Sequence, residues 1–218
     1  MPNPPALSGP SSPPASGGRP KQLVLLLHGW GADGANLIDL GEVMGKVLPD
    51  ALFIAPNGPE VCEVNPYGFQ WFSLMNRDPA ALLHGVRRAA EALNPFIDAQ
   101  LKELGLDDST LALVGFSQGT MLSLHAGLRR PKAMACVVGF SGALIGADTL
   151  RAEIVSKPDV SLIHGQMDDV VPYGSMAQAQ GVMAAAGVNV ETHTRPAIGH
   201  SIDMEGIQIA QRFLKGHL

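Results

Sequence analysis

Beyond about residue 20, short apolar runs alternate with longer stretches of helical spacing, and this alternation restricts the chain to few architectures. The runs fall at 22–27, 51–55, 111–114, 135–140, 160–163 and 189–194 and read as strands buried on both faces. Between them, 37–48, 80–104, 121–130, 172–186 and 203–215 carry helical periodicity. Their ends are punctuated: Asp33-Gly34 opens the first and Pro49 follows it. Gly105 closes the second, Pro131 the third, and Pro172 and Gly187 bracket the fourth. Strand and helix in turn predict an α/β fold, a mostly parallel central sheet with helices on both faces. With 218 residues, 46% of them hydrophobic and 16% charged, a single domain can bury about 70% of the surface its unfolded chain exposes. No internal repeat or second domain is visible. The expected layout is a Pro/Ser/Gly-rich segment over 1–20 and one domain over 21–218. The first segment reads either as a loosely held tail or as an irregular edge laid over the sheet.

Gly115-Phe116-Ser117-Gln118-Gly119 spells G-x-S-x-G between a strand-like and a helix-like run. A serine on so tight a strand-to-helix turn is lifted clear of the backbone, with amide groups beside it. Small residues flank it because the turn leaves no room for side chains. A serine hydroxyl is a poor nucleophile at neutral pH, so it needs a base within reach and an acid to orient that base. Hydrolases built on such a sheet supply them in the order Ser, Asp or Glu, His. The chain has that order, each member just after a strand. His164-Gly165-Gln166-Met167-Asp168-Asp169 follows the fifth run, and Pro196-Ala197-Ile198-Gly199-His200 follows the last. Loop position alone leaves Asp168 and Asp169 both open as the acid. His200, before the final helix, is the expected base.

The other histidines have quieter readings. His28 ends the first run and is expected to brace the loop after it, and His164 to be a structural hydrogen-bonder. His84 and His125 fall on helices, His193 in a strand, and His217 at the terminus. Acyl transfer also needs two donors for the developing oxyanion. The backbone N–H groups of Gln118 and of Trp30, in His28-Gly29-Trp30-Gly31, are the candidates. Neither glycine-rich segment ends in the G-K-[ST] of a phosphate loop, so a nucleotide site is disfavoured. Gly139-Phe140-Ser141-Gly142 also puts a serine after a strand, but Ala143 leaves the motif incomplete and a plain strand-end turn is expected there.

Several ordered motifs together resemble the phospholipase/carboxylesterase family of α/β-hydrolases, which includes bacterial carboxylesterases, lysophospholipases and acyl-protein thioesterases. The likeness runs from about Lys21 onward. It rests on Leu27 to Gly34 (L-H-G-W-G-A-D-G), Ala55 to Pro59 (A-P-N-G-P), Gln70-Trp71-Phe72, the Ser117 motif, His164-Gly165-x-x-Asp168-x-V-V-Pro172 and Gly199-His200. The resemblance implies a small α/β-hydrolase without a large cap domain, and it selects Asp168 as the acid. It also implies that the Pro/Gly-rich, aromatic loop over 56–79 lies beside the acyl cleft. Trp71 and Phe72 would then wall the substrate pocket, with Leu74 and Met75 extending an apolar slot. No Arg or Lys cluster of the kind that holds a phosphate head group is visible, which favours simple carboxylic esters. The expected function is a serine carboxylesterase for short- to medium-chain esters, needing no metal or organic cofactor. Lysophospholipase or acyl-protein thioesterase activity uses the same chemistry. A non-catalytic hydrolase-fold binding module, a peptidase or dienelactone-type hydrolase and an acyltransferase are the rivals.

The expected partner is a small-molecule ester. A net charge of −5 argues against nucleic acid. No apolar run reaches the roughly 20 residues of a membrane span, so no stable membrane insertion is expected. Family relatives are often dimers, so the resemblance makes a homodimer one available state. The first twenty residues lack the basic start and apolar stretch of a signal peptide, and the expected location is cytoplasmic. Cys62 and Cys136 do not make a disulfide framework; Cys136 sits in an apolar run and reads as a core residue.

Overall fold

The computed structural model describes residues 7–218. Nine strands and six helices follow in chain order: β1 (Ser11–Ser12), β2 (Gln22–Leu27), α1 (Ala35–Gly45), β3 (Ala51–Ile54), β4 (Glu60–Cys62), β5 (Asn65–Gln70), α2 (Pro79–Leu104), β6 (Leu111–Phe116), α3 (Gln118–Gly127), β7 (Cys136–Phe140), α4 (Leu150–Glu153), β8 (Asp159–Gly165), α5 (Gly174–Ala185), β9 (Val190–Arg195) and α6 (Met204–His217). Seven strands form one sheet in the order β1-β3-β2-β6-β7-β8-β9. Every neighbouring pair is parallel except β1 with β3, where Ser11 faces Ile54 and Ser12 faces Phe53.

The inner strands β2, β3, β6 and β7 are almost wholly apolar because each face of the sheet has its own helix layer. In β2, Leu23, Leu25 and Leu27 point to a core shared with Val86 and Leu93 of α2 and Leu122 of α3. Val24 and Leu26 point the other way, to Met44 of α1 and Ile209, Phe213 and Leu214 of α6. Each such side chain, fully buried, contributes about 1.5–3 kcal/mol. The mostly parallel sheet between two helix layers is an α/β-hydrolase fold, with no cap domain among the described residues. β9 departs from the expectation of two buried faces. It is the outermost strand, and Glu191 and Thr194 on it are exposed.

The chain adds strands on one side of β2 as far as β3 and β1, then crosses back to add β6 to β9 on the other side. The loops after β2 and β6 therefore leave the sheet where its strand order reverses, the place where open parallel sheets leave a crevice for a ligand. The segment over 56–79 is a folded excursion, an antiparallel β4–β5 hairpin with a bulge between Val61 and Cys62. A bridge from Phe69 to Ala32 ties it to the loop after β2. Residues 7–20 run along β3: Ala55 N–H donates to Pro10 O and Asn57 N–H to Ser8 O, each at 2.9 Å. Residues 1–6 lie outside the described part. Cys62 and Cys136 are buried and unpaired, and burial pushes the Cys136 thiol up to about 12.

Candidate active site

The turn between β6 and α3 holds Ser117 at φ 54°, ψ −113°, left-handed backbone that a side chain tolerates only under constraint. Two glycines explain how the turn fits. A Cβ on Gly119 would stand 1.9 Å from Leu27 O, and one on Gly115 would stand 2.4 Å from the Gly119 carbonyl carbon. The elbow is thus pressed against both β2 and itself. Ser117 N–H donates to Phe140 O at 2.9 Å, and Thr120 Oγ1 lies 2.8 Å from the carbonyls of both Gly115 and Phe140.

The loop after β8 and the loop after β9 bring Asp168 to His200. Asp168 Oδ2 lies 2.8 Å from His200 Nδ1. Asp168 Oδ1 accepts from the Val170 and Val171 amides at 3.0 and 2.9 Å. Burial alone would push the carboxyl up, but the His200 contact and the Val171 and Val170 amides outweigh it and hold Asp168 below the usual carboxylate range. Asp169 is exposed. An Asp168-bound Nδ1–H leaves His200 Nε2 as the ring's basic nitrogen. The ring packs on Phe116 at 4.8 Å between centroids.

Ser117 and His200 line one cavity of about 420 Å³, within the range of small-molecule sites. No hydrogen bond joins the two side chains among the described residues, and such contacts often tighten only around a bound substrate. The remaining wall is almost wholly apolar. Gly29, Trp30, Leu74, Leu82, Phe116, Met121, Ala143, Ile145, Val170, Val171 and Pro172 contribute to it. The backbone N–H groups of Trp30 and Gln118 donate to no protein acceptor among the described residues. Gln118 opens α3, where such unpaired amides are expected.

The side chain of Gln118 has a role that its motif position did not reveal. Its Oε1 accepts from Trp71 N–H at 2.9 Å and its Nε2 donates to Phe72 O at 2.7 Å. This clamp corrects the expectation for the aromatic pair. Leu74 lines the cavity, but Trp71 and Phe72 do not; they are 1% and 3% exposed and face the core. Trp71 Nε1 donates to His28 O at 3.0 Å, and its ring lies 5.3 Å from the His28 ring. An aromatic in a loop fits a pocket wall and a buried anchor equally well from sequence; here the anchor won, because the indole N–H found a carbonyl under the elbow.

His28 braces the loop after β2, as expected. Gly58 N–H donates to its Nε2 at 2.9 Å, so its Nδ1–H donates to Gly29 O at 2.7 Å. Burial keeps His28 below the usual imidazole range against the pull of the Gly29 carbonyl and Asp33. His164 Nε2 donates to Val171 O at 3.0 Å and lies 3.2 Å from Asp168 Oδ2. Its proximity to the acid was missed, although its spacing four residues before Asp168 was a usable signal. Ser141 is buried and does not line the cavity. The loop over 168–172 also supplies wall residues, a placement that its attachment to the acid made inferable.

The fold, with a strained serine elbow and an Asp-paired histidine at the sheet's carboxyl edge, defines an α/β-hydrolase. Residues 14–218 match the family model described as Phospholipase/Carboxylesterase. The chain belongs to the phospholipase/carboxylesterase family. It is 30% identical over 200 residues to esterase YpfH of Escherichia coli (strain K12), an alignment covering 89% of this chain and 82% of that one. It is 27% identical over 203 residues to acyl-protein thioesterase 1 of Schizosaccharomyces pombe, with 87% and 88% covered. The crystal structure of esterase PE8 superposes with a TM-score of 0.93 at 41% identity, covering 97% and 99% of the two chains.

Proposed function

We propose that this protein is a serine carboxylesterase acting on short- to medium-chain carboxylic esters. The observation that carries the reading is the shared apolar cavity of about 420 Å³ with Ser117 and the Asp168-paired His200 on its wall. His200 Nε2 takes the Ser117 proton as Oγ attacks the ester carbonyl. The oxyanion gathers hydrogen bonds from the free amides of Trp30 and Gln118. His200, now protonated and held by ionised Asp168, gives its proton to the leaving alkoxide, and an acyl-enzyme remains. Water then attacks that ester, with His200 acting first as base and then as acid, and Ser117 is regenerated. The apolar wall suits an uncharged acyl chain, and the esterase names of similar proteins support the same chemistry.

The kinship with an acyl-protein thioesterase favours thioesters as the second reading, because a thiolate leaves by the same route. Lysophospholipids remain the third. We place the protein in the cytoplasm, which the unpaired buried cysteines support. No described helix is long and apolar enough to cross a membrane. p-Nitrophenyl esters of graded acyl length, assayed beside a lysophospholipid and an acyl thioester, test the assignment. A maximum at short or medium acyl chains is expected. A strong preference for the long-chain lysophospholipid or the thioester overturns it in favour of that reading. Failure of a fluorophosphonate to label Ser117 points instead to a non-catalytic module.

A further inference from the structure

Among the described residues, Arg77 is the one on the cavity wall with a full charge at neutral pH. No carboxylate pairs with it among the described residues, where the ion pairs of lysine and arginine use Lys21, Arg87, Arg129, Arg130 and Arg195. Its sequence neighbour Asp78 is engaged elsewhere: Asp78 Oδ1 accepts from the Ala80 and Ala81 amides that open α2. Among the described residues, no Asp or Glu lines the cavity wall. The nearest acid in the machinery, Asp168, has its side chain fully buried against His200. Acidic residues outnumber basic ones by 20 to 15 in the chain, yet this exposed guanidinium shares the cavity lining with the apolar Leu74 and Leu82 and has no carboxylate partner there. Apolar walls sharpen the field of such a charge and raise its value to an incoming anion. A guanidinium also presents paired N–H donors that match a carboxylate.

We propose that Arg77 forms a subsite for an anionic substituent of the substrate, so that esters carrying a carboxylate remote from the scissile carbonyl are favoured over neutral ones of equal length. The proposal deepens the esterase reading and rests on it for turnover. Arg77 does not touch the reacting atoms. It acts on selection, through KM more than kcat, because the charge it meets is the same in ground and transition state.

The test compares mono-p-nitrophenyl adipate with p-nitrophenyl hexanoate, which places the carboxylate on the acyl side. A second pair, 4-carboxyphenyl hexanoate and phenyl hexanoate, places it on the alcohol side. In Arg77→Gln the charged-to-neutral ratio of kcat/KM should fall about fivefold to tenfold for one of the two pairs, the larger value being about 1.4 kcal/mol. Arg77→Glu should lower it further, and Arg77→Lys should retain part of it. Raised salt should lower the wild-type ratio toward that of Arg77→Gln. Ratios unchanged by Arg77→Gln in both pairs overturn the proposal. Binding of the same esters to Ser117→Ala protein, with and without Arg77→Gln, reads the subsite with no turnover. Equal dissociation constants for the charged esters overturn it there as well. Absence of turnover of any ester by the wild-type protein counts against the esterase reading alone.

Discussion

At the scale of single residues, Asp168 is held from three sides. Two amides fix one carboxylate oxygen, and two imidazoles approach the other. Asp169, one residue on, is exposed. The pair therefore separates cleanly by mutation. Asp168→Asn should lower kcat by about 10⁴, since an amide in that place selects the wrong His200 tautomer. Asp169→Asn should leave kcat within a few-fold of the wild type. A mild effect at position 168 removes it from the mechanism. The serines separate in the same way. Ser117→Ala should abolish both turnover and fluorophosphonate labelling, while Ser141→Ala should keep both. The G-x-S-x-G motif made Ser117 legible because its glycines meet a steric demand that only the folded elbow imposes. The choice between the aspartates had no such local signal, as both stand in the same loop with the same chemistry.

At the scale of elements, the strands with buried faces were legible to within a residue or two, since two-sided burial writes itself as an unbroken apolar run. The β4–β5 hairpin was not legible. Asn65-Pro66-Tyr67-Gly68-Phe69-Gln70 carries Pro and Gly inside a strand, and most of its side chains lie toward solvent or at the interface with the loop after β2. The strand forms because Phe69 pairs with Val61 and bridges Ala32. β1 has two serines and no pattern at all; only its pairing with β3 defines it. Gln118 couples the hairpin segment to the elbow, and this gives a test at the same scale. Gln118→Ala keeps the amide proposed for the oxyanion but strands the buried Trp71 N–H and Phe72 O. Each lost partner costs about 1–3 kcal/mol. The variant should melt at a clearly lower temperature and bind substrate more weakly as the Leu74 wall loosens. An unchanged melting temperature shows that the clamp is not holding the loop.

At the scale of the whole molecule, the sheet order puts every proposed catalytic group at one edge, so site and fold share the same buried supports. The overall architecture was legible from the alternation of strand and helix, and the position of the crevice follows from where the strand order turns back at β2 and β6. Stability across pH follows from which groups that core keeps neutral. His125 on α3 is 2% exposed and its Nδ1 has no hydrogen-bond partner. Burial, with Arg129 and Arg87 adding to it and Glu153 opposing, lowers its pKa from 6.5 to about 4. His28 is shifted in the same direction. A histidine whose folded pKa is depressed binds its proton more readily in the unfolded chain. Its contribution is therefore complete above about pH 6.5 and is lost as pH falls toward the folded pKa. For His125 that window runs from 6.5 down to about 4, and it amounts to about 3 kcal/mol at about 1.4 kcal/mol per pH unit. Asp168, held below the usual carboxylate range, adds a further loss only at lower pH. Denaturant unfolding at pH 7.5 and pH 4.5 should thus show the wild type markedly less stable in acid. His125→Gln, which cannot titrate, should shrink that difference by about 2 kcal/mol, leaving the share that His28 contributes. Parallel stability profiles for the two proteins would mean that His125 already carries its proton in the folded core.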